Sequence, residues 1–163
     1  MNKLFIFTGL PGAGKSYLIS KMIGTNVKTS YVHSPDSIQR ITNVDSEKAL
    51  RFSFENLKVF LDSVKNYRKV YWDQQNLLLS DRKKILLEWS SFFDHVEYHS
   101  ILPPRTENEV FLWVRRLQKN PNSVRPEHIL LNMGSNYSIP GKHTEERPVF
   151  LYGFDGSFIQ KFD

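Results

Sequence analysis

Residues 9–16 read Gly9-Leu10-Pro11-Gly12-Ala13-Gly14-Lys15-Ser16 and match the phosphate-binding pattern G-x-x-x-x-G-K-[ST]. An apolar run from Lys3 to Thr8 precedes the match and predicts a buried parallel strand. Apolar residues at helical spacing follow it from Tyr17 to Ile23. Between a strand and a helix, glycines let backbone N–H groups converge on an anion at the helix N-terminus. This context favours a phosphate-binding loop over a chance match in a glycine turn.

The loop predicts a nucleoside triphosphate ligand, ATP or another NTP. Lys15 is expected to reach the β- and γ-phosphates, and the Ser16 hydroxyl is expected to ligate Mg²⁺. The expected ATP-binding residues are Gly9, Gly12, Ala13, Gly14, Lys15, Ser16 and Tyr17.

Composition limits the class of protein. The 163 residues suit one domain, and 40% hydrophobic with 24% charged residues is ordinary for a soluble globular chain. No apolar run approaches the ~20 residues of a membrane span, and no signal peptide precedes the loop, so we expect a cytoplasmic protein without a membrane partner. The sequence has no cysteine, which excludes disulfides and cysteine-ligated metals. A net charge of +5 suits an anionic partner such as nucleic acid.

Strand-like and helix-like segments alternate along the chain, which predicts an α/β fold with a parallel sheet between layers of helices. Further strands are predicted at 29–33, 69–73 and 95–102, and further helices at 46–67 and from Ser80, Thr106 and Arg125. The expected buried faces are Leu50, Phe54, Leu57, Leu61 and Val64 in the first of these helices, and Val110, Phe111, Val114 and Leu117 in the one from Thr106. A loop is predicted at 134–147, and Asp155-Gly156 predicts a type I′ turn in a C-terminal hairpin at about 149–162.

Two acidic residues follow predicted strands, at the edge of a parallel sheet where functional groups gather. Asp36 could act at the γ-phosphate, or it could cap a helix that begins after Pro35. Asp73 could hold Mg²⁺, or it could be a solvated acid at a strand end. Asn76 and Gln75 could assist at the site or cap the loop.

Basic residues gather at the end of the helix from Thr106 and beyond it, at Arg115, Arg116, Lys119 and Arg125. They predict a lid at about 115–125 that clamps the transferring phosphoryl group, because a planar guanidinium grips two oxygens at once. The alternative is a solvated basic helix end that complements the helix dipole.

Together, the glycine loop, Asp36 and the stretch from Val70 to Leu77 resemble the phage-type polynucleotide 5′-kinase family, over about residues 1–135. The family pattern is G-x-P-G-[SA]-G-K-[ST], then an Asp, then a strand end similar to D-x-T-N. The resemblance implies one P-loop kinase domain over residues 1–163, a three-layer sandwich, in host cytoplasm if phage-encoded. It implies that the γ-phosphoryl group of ATP is transferred, with Mg²⁺, to the 5′-hydroxyl of DNA or RNA.

The resemblance also assigns roles to residues. Lys15 and Asp36 are implied to be catalytic, with Asp36 taking the hydroxyl proton. A lid arginine, chosen among Arg115, Arg116 and Arg125 with Arg116 as the candidate, is implied to stabilise the phosphoryl group. The residues expected at the acceptor are Arg40, Asp73 and Asn76, and those at the metal are Ser16 and Asp73.

The chain departs from that family at three points. Gln39 replaces a common arginine, with Arg40 one position later, and Asn120 takes the place of a lid arginine. Gly153 stands where some members carry the aspartate of a phosphatase domain, so no phosphatase activity is expected. The departures leave open a kinase for 5-hydroxymethyluracil bases within DNA, a nucleoside or other small-molecule kinase, and a non-enzymatic nucleotide-binding switch.

Aromatic and imidazole side chains leave further alternatives. Tyr17, Trp72 and Trp113 could stack on a base or pack in the core. The five histidines lack metal-ligand spacing and are expected in structural or surface positions.

Overall fold

The structure, a computed structural model, describes residues 1–119 and 132–163. Within these residues one sheet contains the strands β1 (Lys3–Thr8), β2 (Ser30–His33), β3 (Lys69–Trp72), β4 (His95–Ile101), β5 (Val149–Tyr152) and β6 (Phe158–Phe162). The strand order is β2-β3-β1-β4-β5-β6. The first five strands in that order are parallel, and β6 pairs with β5 in the antiparallel sense. The α/β fold predicted from the alternating pattern is confirmed.

Helices cover both faces of the sheet. They are α1 (Lys15–Ile23), α2 (Pro35–Thr42), α3 (Ser46–Ser63), α4 (Leu79–Trp89) and α5 (Glu107–Gln118), with 3₁₀ turns at Val27–Thr29 and Ser90–Phe92. Leu57 of α3 and Ile85 of α4 pack on one face of the sheet, where Leu4 and Ile6 are fully buried. Ile19 of α1 packs on the other face. In the described part of the chain, no helix is long and apolar enough to span a membrane.

Helix α3 ends earlier than its apolar spacing predicts. It stops at Ser63 because the Arg68 guanidinium donates to the carbonyls of Leu61 and Val64 at 3.1 and 3.4 Å, which satisfies acceptors that a further turn would have used. The buried stripe is Ala49, Ser53, Leu57 and Leu61, spaced four residues apart, and Leu50 is exposed. The predicted face is therefore confirmed at Leu57 and Leu61, with Phe54 partly buried against the core, and wrong at Leu50.

The predicted buried face of helix α5 is confirmed only at Leu117. Trp113 and Leu117 are buried, whereas Val110, Phe111 and Val114 are exposed. A capping box between Thr106 and Glu109 starts this helix. The indole supplies more apolar surface than the valines, so it determines which side of α5 faces inward.

The C-terminal hairpin is confirmed, but its predicted type I′ turn is wrong. Tyr152 pairs with Phe158, so the connection has five residues, 153–157. Within it only Gly156 has a positive φ, at 85°, while a type I′ turn needs two such residues. The turn closes through the Gly153 N–H, which donates to the Ser157 carbonyl at 2.8 Å.

Candidate active site

The glycine loop between β1 and α1 has the backbone of an anion-binding nest. Gly12 and Gly14 have φ values of 75° and 98°, which L side chains rarely adopt, and Gly14 is the N-cap of α1. A Cβ at Gly12 would lie 3.2 Å from Leu117 and 3.3 Å from Trp113. Trp113 also donates its indole N–H to the Pro11 carbonyl at 2.6 Å. Helix α5 therefore packs directly on the loop and fixes its shape.

Lys15 is buried at the first position of α1. Its ammonium donates to the carbonyls of Gly9 and Leu10 at 3.0 and 3.1 Å, so the side chain folds back along the loop. Burial lowers its pKa, and the nearby carboxylates of Asp73 and Asp36 oppose that shift. A cation held among these groups can move to a phosphate without leaving the loop.

Asp73 lies at the end of β3, beside the start of α1. The Ser16 hydroxyl donates to Asp73 Oδ2 at 2.8 Å, which brings the two predicted metal ligands into direct contact. An alcohol and a carboxylate are the hard oxygen donors that Mg²⁺ accepts, and Mg²⁺ in kinases is usually held by one or two such groups with phosphates and water. The donor set present therefore fits Mg²⁺.

One cavity of about 330 Å³ joins the loop to helix α2. Asp36 lines it from the first turn of α2, and Arg40 lines it one turn later, with Nη2 donating to the Ser37 hydroxyl at 3.2 Å. Strand β3 separates β2 from β1, so the strand that precedes Asp36 is a neighbour of β3 and not of β1. The other lining residues are Pro11, Gly12, Gly14, Lys15, Ser16, Tyr17, Ser34, Gln39, Asp73, Gln74, Gln75 and Arg116.

The predicted lid residues separate in space. Arg116 lines the cavity, its Nη1 contacts the carbonyls of Gly12 and Ala13 at 3.3 and 3.4 Å, and its guanidinium lies 5.0 Å from the centre of the Phe154 ring. Arg115 is exposed and lies over Phe111 at 5.9 Å, outside the cavity wall. Lys119 is exposed at the end of α5 and does not line the cavity either. Arg125 and Asn120 lie outside the described residues.

Asn76 does not face the cavity, contrary to its predicted place at the acceptor. The residue is buried with a φ of 48°, and its side-chain amide donates to the carbonyls of Phe7 and Gln74 at 2.8 and 3.3 Å. Asparagine tolerates this left-handed backbone better than most residues. Its amide has the loop-capping role that the sequence left as the alternative.

The aromatic and histidine side chains selected in the sequence differ in burial. Trp72 and Trp113 are buried, so they pack in the core, while Tyr17 is exposed at the cavity with Lys21 lying 4.5 Å over its ring. His33 is fully buried, and burial lowers its pKa to about 4. His95 and His99 flank the Glu97 carboxylate on β4, and His128 lies outside the described residues.

Gln74 lines the cavity, although no pattern in the sequence marks it as a site residue. Trp72 donates its indole N–H to Gln74 Oε1 at 2.8 Å. Because an indole N–H can only donate, this contact assigns the oxygen of the amide and leaves its NH₂ group for another partner. The predicted strand placed Trp72 and Gln74 close together, but no pattern in the sequence reveals the side-chain bond.

Comparison with known proteins identifies the fold. No family profile and no curated sequence matches the chain. A structure from the PezAT chromosomal toxin–antitoxin system of Streptococcus pneumoniae is similar, with a TM-score of 0.60, 15% identity, and coverage of 99% of this chain and 72% of that one. A fungal RNA kinase is similar with a TM-score of 0.59 and 15% identity, and the match covers 93% of this chain and 73% of that one. A gluconokinase from Sinorhizobium meliloti is similar with a TM-score of 0.52 and 13% identity, and the match covers 94% of this chain and 82% of that one. The chain has the fold of the P-loop kinases.

Proposed function

We propose that this chain is an ATP-dependent kinase that transfers the γ-phosphoryl group to a hydroxyl of a nucleic acid, the 5′-hydroxyl of DNA or RNA. The observation that carries the proposal is the cavity wall: the phosphate loop lines one side, and the Asp36 carboxylate lines another. A donor site and a general base that share one cavity are what a phosphoryl transfer to an alcohol requires.

The reaction follows from the groups in that wall. The acceptor oxygen attacks the γ-phosphorus while its proton passes to the Asp36 carboxylate, and the bond from the γ-phosphorus to the bridging oxygen breaks to release ADP. Asp36 is exposed at the helix start, so an acceptor can reach it. Mg²⁺, held by Ser16 and Asp73, would neutralise charge on the phosphate oxygens.

The loop residues supply binding and orientation. Backbone N–H groups around Gly14 and the α1 N-terminus hold the phosphates, and Lys15 exchanges its two carbonyl partners for phosphate oxygens. Arg116 lies at the loop, so a turn of its side chain brings a second cation to the triphosphate. We place Arg116 in that role ahead of Arg115, which lies outside the cavity wall.

The acceptor side supports a substrate with one anionic group and several neutral polar groups. Arg40 contributes a cation to the cavity from α2, and Gln39, Gln74 and Gln75 contribute amides to the same cavity. A terminal nucleotide of a polynucleotide offers a phosphodiester next to base and sugar oxygens. The net charge of +5 favours the same polyanionic partner.

The test is transfer of label from [γ-³²P]ATP to a panel of acceptors. The panel contains 5′-hydroxyl DNA, 5′-hydroxyl RNA, 5′-phosphorylated DNA, duplex DNA with 5-hydroxymethyluracil, free nucleosides and gluconate. We expect label only on the 5′-hydroxyl polymers, recovered after nuclease digestion as 5′-labelled mononucleotide. Label only on internal modified bases or on small molecules would overturn the nucleic-acid 5′-end proposal. ATP binding without transfer to any acceptor would support the nucleotide-binding switch instead.

A further inference from the structure

Arg82 is the largest fully buried side chain in the described part of the molecule. Its Nε donates to Glu145 Oε1 at 2.8 Å, and its Nη2 lies 2.7 Å from the same oxygen. The Glu145 side chain is also buried. A buried ion pair contributes little net stability compared with apolar packing, so stability alone does not explain why this pair is present.

The other arm of the guanidinium holds a loop of the active site. Arg82 Nη1 donates to the carbonyls of Asn76 and Leu77, both at 3.1 Å. These carbonyls directly follow Asp73, Gln74 and Gln75, which line the cavity. Arg82 itself does not line the cavity, so it can act there only through the backbone.

The same loop is fastened at further points. The Asn76 amide donates to the Phe7 carbonyl at 2.8 Å, and the Gln75 carbonyl accepts the Gly9 N–H at 3.1 Å. Asn76 has a left-handed backbone, which asparagine tolerates better than most residues and which these contacts help to hold. The guanidinium is the charged group among these contacts, and Glu145 keeps the guanidinium in place.

We propose that Arg82, braced by Glu145, is a positioning residue that sets the geometry of residues 73–75 at the cavity. Its effect on phosphoryl transfer rests on the proposed kinase function, whereas its effect on the loop can be measured without any substrate.

Of the three indole N–H groups seen in an ¹⁵N–¹H spectrum of the free protein, that of Trp72 reports on this loop and the other two serve as references. Trp72 donates to Gln74 inside the loop, Trp113 donates to Pro11 in the phosphate loop, and the Trp89 Nε1 has no partner among the described residues. Single Trp→Phe variants assign the resonances. In Arg82→Lys, which keeps the charge but loses the fork, we expect the Trp72 resonance to move upfield and the Trp113 resonance to stay.

The matched control is Arg68→Lys. Arg68 also holds backbone carbonyls, those of Leu61, Val64 and Phe92, but it precedes β3 at the opposite end of the sheet from the cavity. We expect this variant to leave the Trp72 and Trp113 resonances in place. A shift of Trp72 in both variants would mean general loosening and would overturn the proposal.

Kinetics then test the consequence for catalysis. We expect Arg82→Lys to lower kcat about tenfold with the KM for ATP little changed, since displacement of a positioned group by ~1 Å can cost up to about a hundredfold. Glu145→Gln, which keeps a hydrogen-bond acceptor, should give a smaller shift of the Trp72 resonance and a smaller fall in kcat. It replaces Arg82→Lys in both measurements if that variant does not fold. An unmoved Trp72 resonance in a folded variant of either kind overturns the positioning role. A wild-type protein that is inactive on every acceptor refutes only the kinase, because the indole spectra still test the loop.

Discussion

The two sides of the cavity are built differently. On the donor side, Lys15 and Asp73 are buried, and each of their side chains has a hydrogen-bond partner. On the acceptor side, Asp36 and Arg40 are exposed on the short helix α2. The Gln39 side chain makes no hydrogen bond within the described residues.

This difference matches the different requirements of the two ligands, the triphosphate and the acceptor. A triphosphate has one geometry, so its site gains from groups held in place before it binds. An acceptor site on an exposed helix can change its side chains without disturbing the core, because few packed neighbours depend on them. We therefore infer that the donor side holds the triphosphate for transfer, while the acceptor side selects the substrate through Arg40 and supplies the base through Asp36.

The largest effect is expected on the donor side, from Lys15→Met. Methionine keeps the buried stem and removes the cation, so transfer from ATP should fall by about a thousandfold or more. The measurement is label transfer under the panel conditions, with a thermal melt to show that the variant is folded. Lys28→Met, at an exposed lysine in the Val27–Thr29 turn, should retain activity. Comparable loss in both variants would refute a specific role for Lys15.

Next in size is a pH effect on stability from His33, the last residue of β2, whose ring packs against Phe54 of α3 and Trp72 of β3. Burial lowers its pKa from 6.5 to about 4 in the folded protein, its Nδ1 contacts the Ser53 hydroxyl at 2.8 Å, and its Nε2 has no partner in the described part of the chain. The unfolded chain takes up the proton first as the pH falls. The contribution of neutral His33 to the free energy of unfolding is therefore fully present above about pH 6.5, and it falls by about 3 kcal/mol as the pH approaches 4.

Chemical denaturation of the wild type and of His33→Phe at about pH 7 and about pH 4.5 measures that contribution. The variant should lose less stability over this interval than the wild type. His143→Gln, at an exposed histidine, should keep the wild-type slope. Equal slopes for the wild type and His33→Phe would show that burial of neutral His33 does not contribute to the pH dependence of stability.

Asp36→Asn tests whether the exposed side also carries chemistry. The amide keeps the shape and removes the base, so kcat should fall by about a hundredfold while ATP binding is spared. The matched control is Asp81→Asn, because Asp81 is likewise an exposed acid in the first turn of its helix, α4. It reproduces the loss of favourable interaction with a helix dipole. Wild-type turnover in Asp36→Asn would remove Asp36 as the base.

The sequence predicts this molecule well where the signal is local and less well where contacts are distant. The alternating pattern predicts the sheet, and the glycine loop predicts a nest at the start of α1, because each depends on neighbouring residues. Arg82 and Glu145 are 63 residues apart, so nothing local distinguishes Arg82 from an ordinary exposed charge on α4. Arg115 and Arg116 are adjacent, and only the packing of Trp113 determines which of them turns towards the loop.

Arg40→Gln should have the smallest effect of these variants, and it tests substrate selection most directly. Loss of one exposed cation should raise the KM for a 5′-hydroxyl oligonucleotide about fivefold, with kcat and the KM for ATP little changed. The difference should shrink at high salt, and it should vanish for a nucleoside acceptor without a phosphate. Arg115→Gln removes an exposed arginine outside the cavity wall and should leave the acceptor KM unchanged. A loss of kcat at unchanged acceptor KM would instead assign Arg40 to the chemistry and end the division between the two sides.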